Sequence, residues 1–121
     1  MLESGRDFAS LDSEARHRLR ILGKKLRYAT EFFESLFPAE RTQPFLKALK
    51  ALQDDLGAMN DIEVARTLTL GLARNAGGKT RRLRLSYAGG LVIGWHTLYK
   101  SLDGDIERTW TAFATCPPCW N

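Results

Sequence analysis

Arg16-His17-Arg18-Leu19-Arg20-Ile21-Leu22-Gly23-Lys24-Lys25-Leu26-Arg27-Tyr28 holds six cationic residues, one histidine and no carboxylate. Wound as an α-helix at about 100° per residue, it puts His17, Arg20, Lys24 and Arg27 in one sector about 80° wide. Leu11, Ala15, Leu19, Leu22, Leu26, Ala29, Phe33 and Leu36 fall on the far side of the same cylinder. The stretch reads as an amphipathic helix with an apolar face for a core and a rail of positive charge. The plain alternative is a solvated face. Solvated faces usually mix signs, because Glu placed four residues from Lys adds support. Stacked cations instead repel one another, a cost that an anionic ligand offsets.

Upstream, residues 1–10 read as an irregular lead-in. Asp12 or Ser13 offers the helix N-cap, with Glu14 placed where the helix dipole favours it. The first helix is expected to run to about Phe37 and to be ended by Pro38.

Downstream, Pro44 suits the first turn of a second helix. Phe45, Leu49, Leu52, Leu56, Met59, Ile62, Ala65, Leu68 and Leu72 then recur in steps of three and four. The rhythm continues through Gly57, Asn60 and Asp61, so one helix is expected to reach about Ala73, with Asn60 or Asp61 as an alternative cap for a new one. Lys50, Gln53, Gly57 and Asn60 share a second sector about 80° wide. Gly57 there costs about 1 kcal/mol of helix propensity, which a close approach to the backbone would justify. Gln53 and Asn60 read equally as site groups or as polar core residues satisfying each other or neighbouring helices.

Asn75-Ala76-Gly77-Gly78 is a loop. Lys79, Arg81, Arg82 and Arg84 open a third helix, where cations oppose the macrodipole. An anion would relieve that penalty; a solubility patch is the competing reading. Tyr87, Leu91, Gly94 or Trp95, Leu98, Leu102, Ile106, Trp110 and Phe113 keep the helical period. Gly90 and Gly94 permit close packing of another helix. Asp103-Gly104-Asp105 marks a kink or a split. No segment alternates with period two. The expected fold is all-α, an antiparallel bundle of three to four long helices across residues 11–121.

Bulk properties narrow the function. With 121 residues, 44% hydrophobic and 26% charged, the chain suits one soluble domain. No window is apolar enough for a membrane span, and the first residues lack a signal peptide's basic and apolar segments. Net charge is +4, unevenly placed: Val64 to Leu102 carries seven Lys or Arg and no Asp or Glu. That favours a polyanionic partner. Walker, His-Glu-x-x-His and Gly-x-Ser-x-Gly motifs are missing. Asp54, Asp55, Asp61 and Glu63 read as solvated or salt-bridged acids, so no metal and no cofactor is expected. His96 reads as a packed or surface histidine. Cys116 and Cys119, in Cys-Pro-Pro-Cys, lack the helix that a thioredoxin-type site needs after it and are too few for structural zinc.

Three segments carry a family resemblance. His17-x-x-Arg20-x-x-x-Lys24-x-x-Arg27-Tyr28 resembles the signature helix of the CHAD family, the conserved histidine α-helical domain. Leu49 to Asp61 resembles its second motif. Gly94-Trp95, Trp110-x-x-Phe113 and Pro118-Cys119-Trp120 resemble its closing helix and terminal Pro-Phe-Trp, with Cys119 where phenylalanine is common. The resemblance implies two helical-bundle halves related by a pseudo-two-fold axis, with basic residues lining a central channel for inorganic polyphosphate. This chain resembles the C-terminal half. A homodimer imitating the pseudo-symmetry, or a piece of a longer protein, follows from that.

The expected function is non-enzymatic polyphosphate binding. His17, Arg20, Lys24, Arg27, Lys50, Arg81 and Arg84 are the expected contacts, supported by Tyr28, Gln53 and Asn60. Arg16, Arg18 and Lys25 point elsewhere. Arg forks onto two phosphate oxygens, while Lys supplies a mobile point charge. His17 would bind better when protonated. The competing readings are a nucleic-acid-binding or nucleoid-associated helical protein, a metal-dependent phosphohydrolase, and a structural dimerisation module. Cytoplasm, with association to polyphosphate granules, is the location the resemblance implies.

Overall fold

The computed structural model describes residues 1–75 and 77–121, and of Ala73, Val92, His96, Tyr99 and Lys100 the backbone alone. The expectation for His96 therefore lies outside the described side chains. The described residues form three α-helices, α1 (Ser13–Phe32), α2 (Ala39–Arg74) and α3 (Gly78–Thr115), with short 3-10 turns and no strand. The fold is all-α, and among the described residues no helix is long and apolar enough to cross a membrane.

Asp12 caps α1, its carboxylate accepting from the Ala15 backbone N–H at 2.7 Å. The helix stops at Phe32, a turn short of expectation. Glu34–Leu36 forms a 3-10 turn, and Pro38 caps the next helix instead of ending the first. α2 also starts earlier than Pro44 suggests. The Pro38 carbonyl accepts from the N–H groups of Arg41 and Thr42 and from the fully buried Thr42 hydroxyl, which fixes a first turn ahead of Pro44. Pro44 is thus inside the helix, where its ring removes the bond that would reach back to the Glu40 carbonyl.

From there α2 continues unbroken through Gly57, Asn60 and Asp61 to Arg74, and α3 continues unbroken through Asp103-Gly104-Asp105. Gly78 opens α3 with φ +65°, a left-handed conformation that glycine adopts without strain.

Antiparallel pairing is fixed by contacts across the interfaces. The Thr109 hydroxyl on α3 donates to Asp55 on α2 at 2.9 Å, and Phe113 packs against Phe45 with ring centroids 5.7 Å apart. The core gathers Leu19, Phe45, Leu49, Leu52, Leu56, Met59, Ile106, Trp110, Phe113 and Cys119. It occupies one end of the molecule, where all three helices meet. Leu19, Leu49 and Leu52 are fully buried, so truncating any of them to Ala costs about 2–5 kcal/mol.

The lead-in belongs to this core. Phe8 is buried and stacks on Trp110 at 5.3 Å with an interplanar angle of 13°. Gly5 lies so close to Trp110 that a Cβ there would overlap the indole ring.

The buried face of α1 also differs from the apolar arc read in the sequence. Arg16, Leu19, Gly23 and Thr30 are its buried residues, centred about 80° round the helix from the predicted stripe, toward the rail. Gly23 explains the rotation: α2 approaches there, with Gln53 atoms 3.4 and 3.6 Å from where a Cβ would stand. Phe33 and Leu36, expected in the core, are 47% and 70% exposed.

Candidate functional site

Because the buried stripe of α1 lies beside the rail, the rail runs along the α1–α2 seam. Its residues meet the second sector of α2 in antiparallel order. His17 Nδ1 lies 3.3 Å from Asn60 Oδ1. Arg20 Nε lies 3.9 Å from where a Cβ on Gly57 would stand, an ordinary contact, so the rail guanidinium passes over Gly57 without approaching so closely that only glycine would fit. Gly23 faces Gln53. Arg27 shares a surface recess with Lys47, Lys50, Gln43 and Glu31.

The charges along this seam are unevenly compensated. Arg20, Lys24 and Lys50 have no ion-pair partner within 4 Å among the described residues. Arg27 Nε faces Glu31 Oε1 at 3.5 Å, and its guanidinium carbon stands 5.1 Å from the Tyr28 ring centre. Tyr28 therefore backs Arg27 by a cation–π contact. The seam presents four rail groups and Lys50 to solvent or to its edge, with Glu31 at the Arg27 end and Glu63 beside His17 and Asn60 at the other.

Gln53 and Asn60 do not satisfy each other. Asn60 is taken by His17, and Gln53, 7% exposed, has a side-chain Nε2 without a hydrogen-bond partner among the described residues. Leaving such a donor unpaired costs about 1–3 kcal/mol.

Arg81 and Arg84 are not brought to this seam. Arg84 lies level with Thr69 and Leu72 near the end of α2, and Thr69 is nine residues past Asn60, about 13 Å along the helix axis. Both arginines sit on an arm formed by the last turns of α2 and the first of α3, beyond the N-terminal end of α1.

Two residues were not marked by sequence pattern. Arg16 turns into the core: it is 9% exposed, pairs with Asp103 at 3.0 Å, reaches Met59 Sδ at 3.6 Å and lies over the Phe8 ring at 5.4 Å. Its spacing of three to Leu19 and seven to Gly23 was the available signal. Lys47, one turn before Lys50 on α2, adds a cation to the recess around Arg27. Arg18 pairs outward with Glu14 at 2.6 Å, off the seam. Among the described residues no three His, Cys, Asp or Glu side chains gather as a metal site, and Cys116 and Cys119 are both free thiols.

The CHAD domain family model matches residues 1–70. The chain belongs to the CHAD family. The matched segment contains the lead-in, α1 and nearly all of α2, and so the whole seam of this CHAD domain. The closing-helix resemblance, on α3 and the last residues, lies beyond it. No curated protein and no solved structure matches the chain.

Proposed function

We propose that this CHAD domain binds inorganic polyphosphate along the α1–α2 seam without turning it over. One observation supports the reading above the rest: His17, Arg20, Lys24 and Arg27 follow one another along a single interface edge, and α2 sets Lys50 and Lys47 beside its far end. A linear polymer with negative charge on every unit and no base edges needs a row of cations and little else. Arg20, Lys24 and Lys50 are free to contribute forked or point-charge contacts. His17 and Arg27 are already oriented by Asn60 and Tyr28. Arg81 and Arg84, on the arm, would meet only a polymer long enough to leave the seam. A second copy facing the rail would close the groove into a channel, as the family resemblance implies.

The test compares long-chain polyphosphate with duplex DNA at one stated salt concentration. Arg20→Ala/Lys24→Ala should weaken polyphosphate binding about a hundredfold, the loss of two charge-assisted contacts. Arg18→Ala/Lys25→Ala removes the same charge off the rail and should leave binding within about threefold, as expected for exposed charges. Equal weakening by both pairs, or equal affinity for DNA, would replace this reading with non-specific polyanion binding. Orthophosphate release in the presence of Mg²⁺ or Mn²⁺ would instead mark a phosphohydrolase.

A further inference from the structure

The α2–α3 arm carries a feature that a phosphate polymer cannot use. Leu72 on α2 and Leu83, Tyr87 and Leu91 on α3 line an apolar groove between the two helices, with Thr69 and Arg84 at its border. Leu72, Leu83 and Tyr87 are 66%, 74% and 72% exposed. Such a contiguous exposed apolar lining marks an interaction surface. The surrounding segment, Val64 to Leu102, carries seven cations and no carboxylate.

We propose that this groove docks an acidic amphipathic helix of a partner protein. Its apolar stripe would lie between α2 and α3, and its carboxylates would meet Arg84 and the neighbouring Arg81. Charge complementarity selects this occupant. A second copy of the same arm would bring cations against cations, and like charges across an interface are costly. Nor does this chain supply a suitable helix of its own: the stretch from Arg16 to Tyr28 has no carboxylate, and the apolar face of α2 near Asp54, Asp55 and Asp61 is occupied by the core. A flat anionic membrane would match the cations, but the apolar residues line a recess between two helices, a shape that an inserted helix fills. The proposal does not rest on the polyphosphate reading, because none of the four apolar residues belongs to the seam.

The test uses the full chain and three designed eighteen-residue helical peptides of equal length: a Leu/Glu amphipathic helix, a Leu/Lys helix with the same stripe, and a Glu-rich helix with no stripe. The Leu/Glu peptide should bind at least about tenfold tighter than either other peptide, since stripe and charge are both required. Leu83→Asp and Arg84→Glu should each weaken it by about thirtyfold or more, the loss of a central interface contact. Leu83 and Arg84 are exposed, and an unchanged helical circular-dichroism signal checks that the variants fold. Equal binding of the Glu-rich peptide would reduce the arm to bare charge and overturn the proposal. A concentration-dependent dimer abolished by Leu83→Asp would name a second copy as the occupant and overturn it. So would co-sedimentation with phosphatidylserine vesicles that Leu83→Asp abolishes while the Leu/Glu peptide fails to compete.

Discussion

His17 on α1 and Asn60 on α2 meet across the seam, ring Nδ1 to amide Oδ1, at 3.3 Å. The ring is donor or acceptor according to its tautomer, and the Asn60 amide can answer either; in both cases the contact holds the imidazole edge at the seam. His17→Ala should therefore weaken polyphosphate binding about fivefold, the loss of one hydrogen bond. Asn60→Ala leaves the ring but removes its support, and should weaken binding less. Calorimetric titration with long-chain polyphosphate at one pH and one salt concentration measures both. Unchanged affinity in His17→Ala would remove His17 from the site.

Arg16 differs from the rail residues in what it holds. Its guanidinium group is enclosed by Asp103, Met59 and Phe8, joining α1, α2, α3 and the lead-in. Removing it exposes a core edge and strips Asp103 of its partner. Because Asp103 is itself partly exposed, the cost of Arg16→Ala is placed at about 2–3 kcal/mol, below the range for fully buried pairs. Arg18→Ala, whose Glu14 partner is solvent-exposed, should cost under about 0.5 kcal/mol. Urea denaturation separates the two. Equal losses would show that the Arg16 network does not bear on stability.

Gly5 and Gly71 make an opposed pair. A Cβ on Gly5 would collide with Trp110, which stacks on Phe8, whereas a Cβ on Gly71 meets nothing within 4 Å. Gly5→Ala must push the lead-in off the core and should destabilise by about 1–3 kcal/mol. Gly71→Ala fills open space on α2 and should stabilise by up to about 1 kcal/mol through helix propensity. Thermal melts of opposite sign are the expected result. A neutral Gly5→Ala would mean that the lead-in is not docked in solution.

Much of this was written locally in the chain. Helical period, the Asp12 cap and the reach of α2 to Arg74 depend on neighbours a few residues away, and they could be read in order. The buried arc of α1 could not. It is selected by where α2 comes closest, at Gly23 opposite Gln53, a relationship between helices. The same applies to Arg16, whose place on the core stripe makes sense only once Asp103 is known to sit beside it. Charge density marked Arg81 and Arg84 as readily as Arg20. Their height along the bundle follows from the α2–α3 register, set by contacts such as Thr109 to Asp55, which composition does not encode. The rail itself was legible because its spacing is helical, and its neighbours on α2 were legible for the same reason. That the two sectors face one another was visible only in the fold.

Glu31 supplies the last prediction. It is the carboxylate at the Arg27 end of the seam, 3.5 Å from the guanidinium Nε, and it shares a recess with Lys47 and Lys50. A phosphate oxygen approaching Arg27 must compete with this counter-ion and tolerate its charge. Removing the charge should therefore strengthen binding. At such separations in a solvated site the repulsion is worth about 1 kcal/mol, so Glu31→Gln should tighten polyphosphate binding about fivefold. The gain should shrink as salt is raised. Glu14→Gln is the matched control, since it also removes a single negative charge from α1, but beside Arg18 and off the rail. If both variants tighten binding equally, net charge alone governs affinity and Arg27 holds no particular place. If Glu31→Gln alone does so, the recess around Arg27, Lys47 and Lys50 is where the polymer is held.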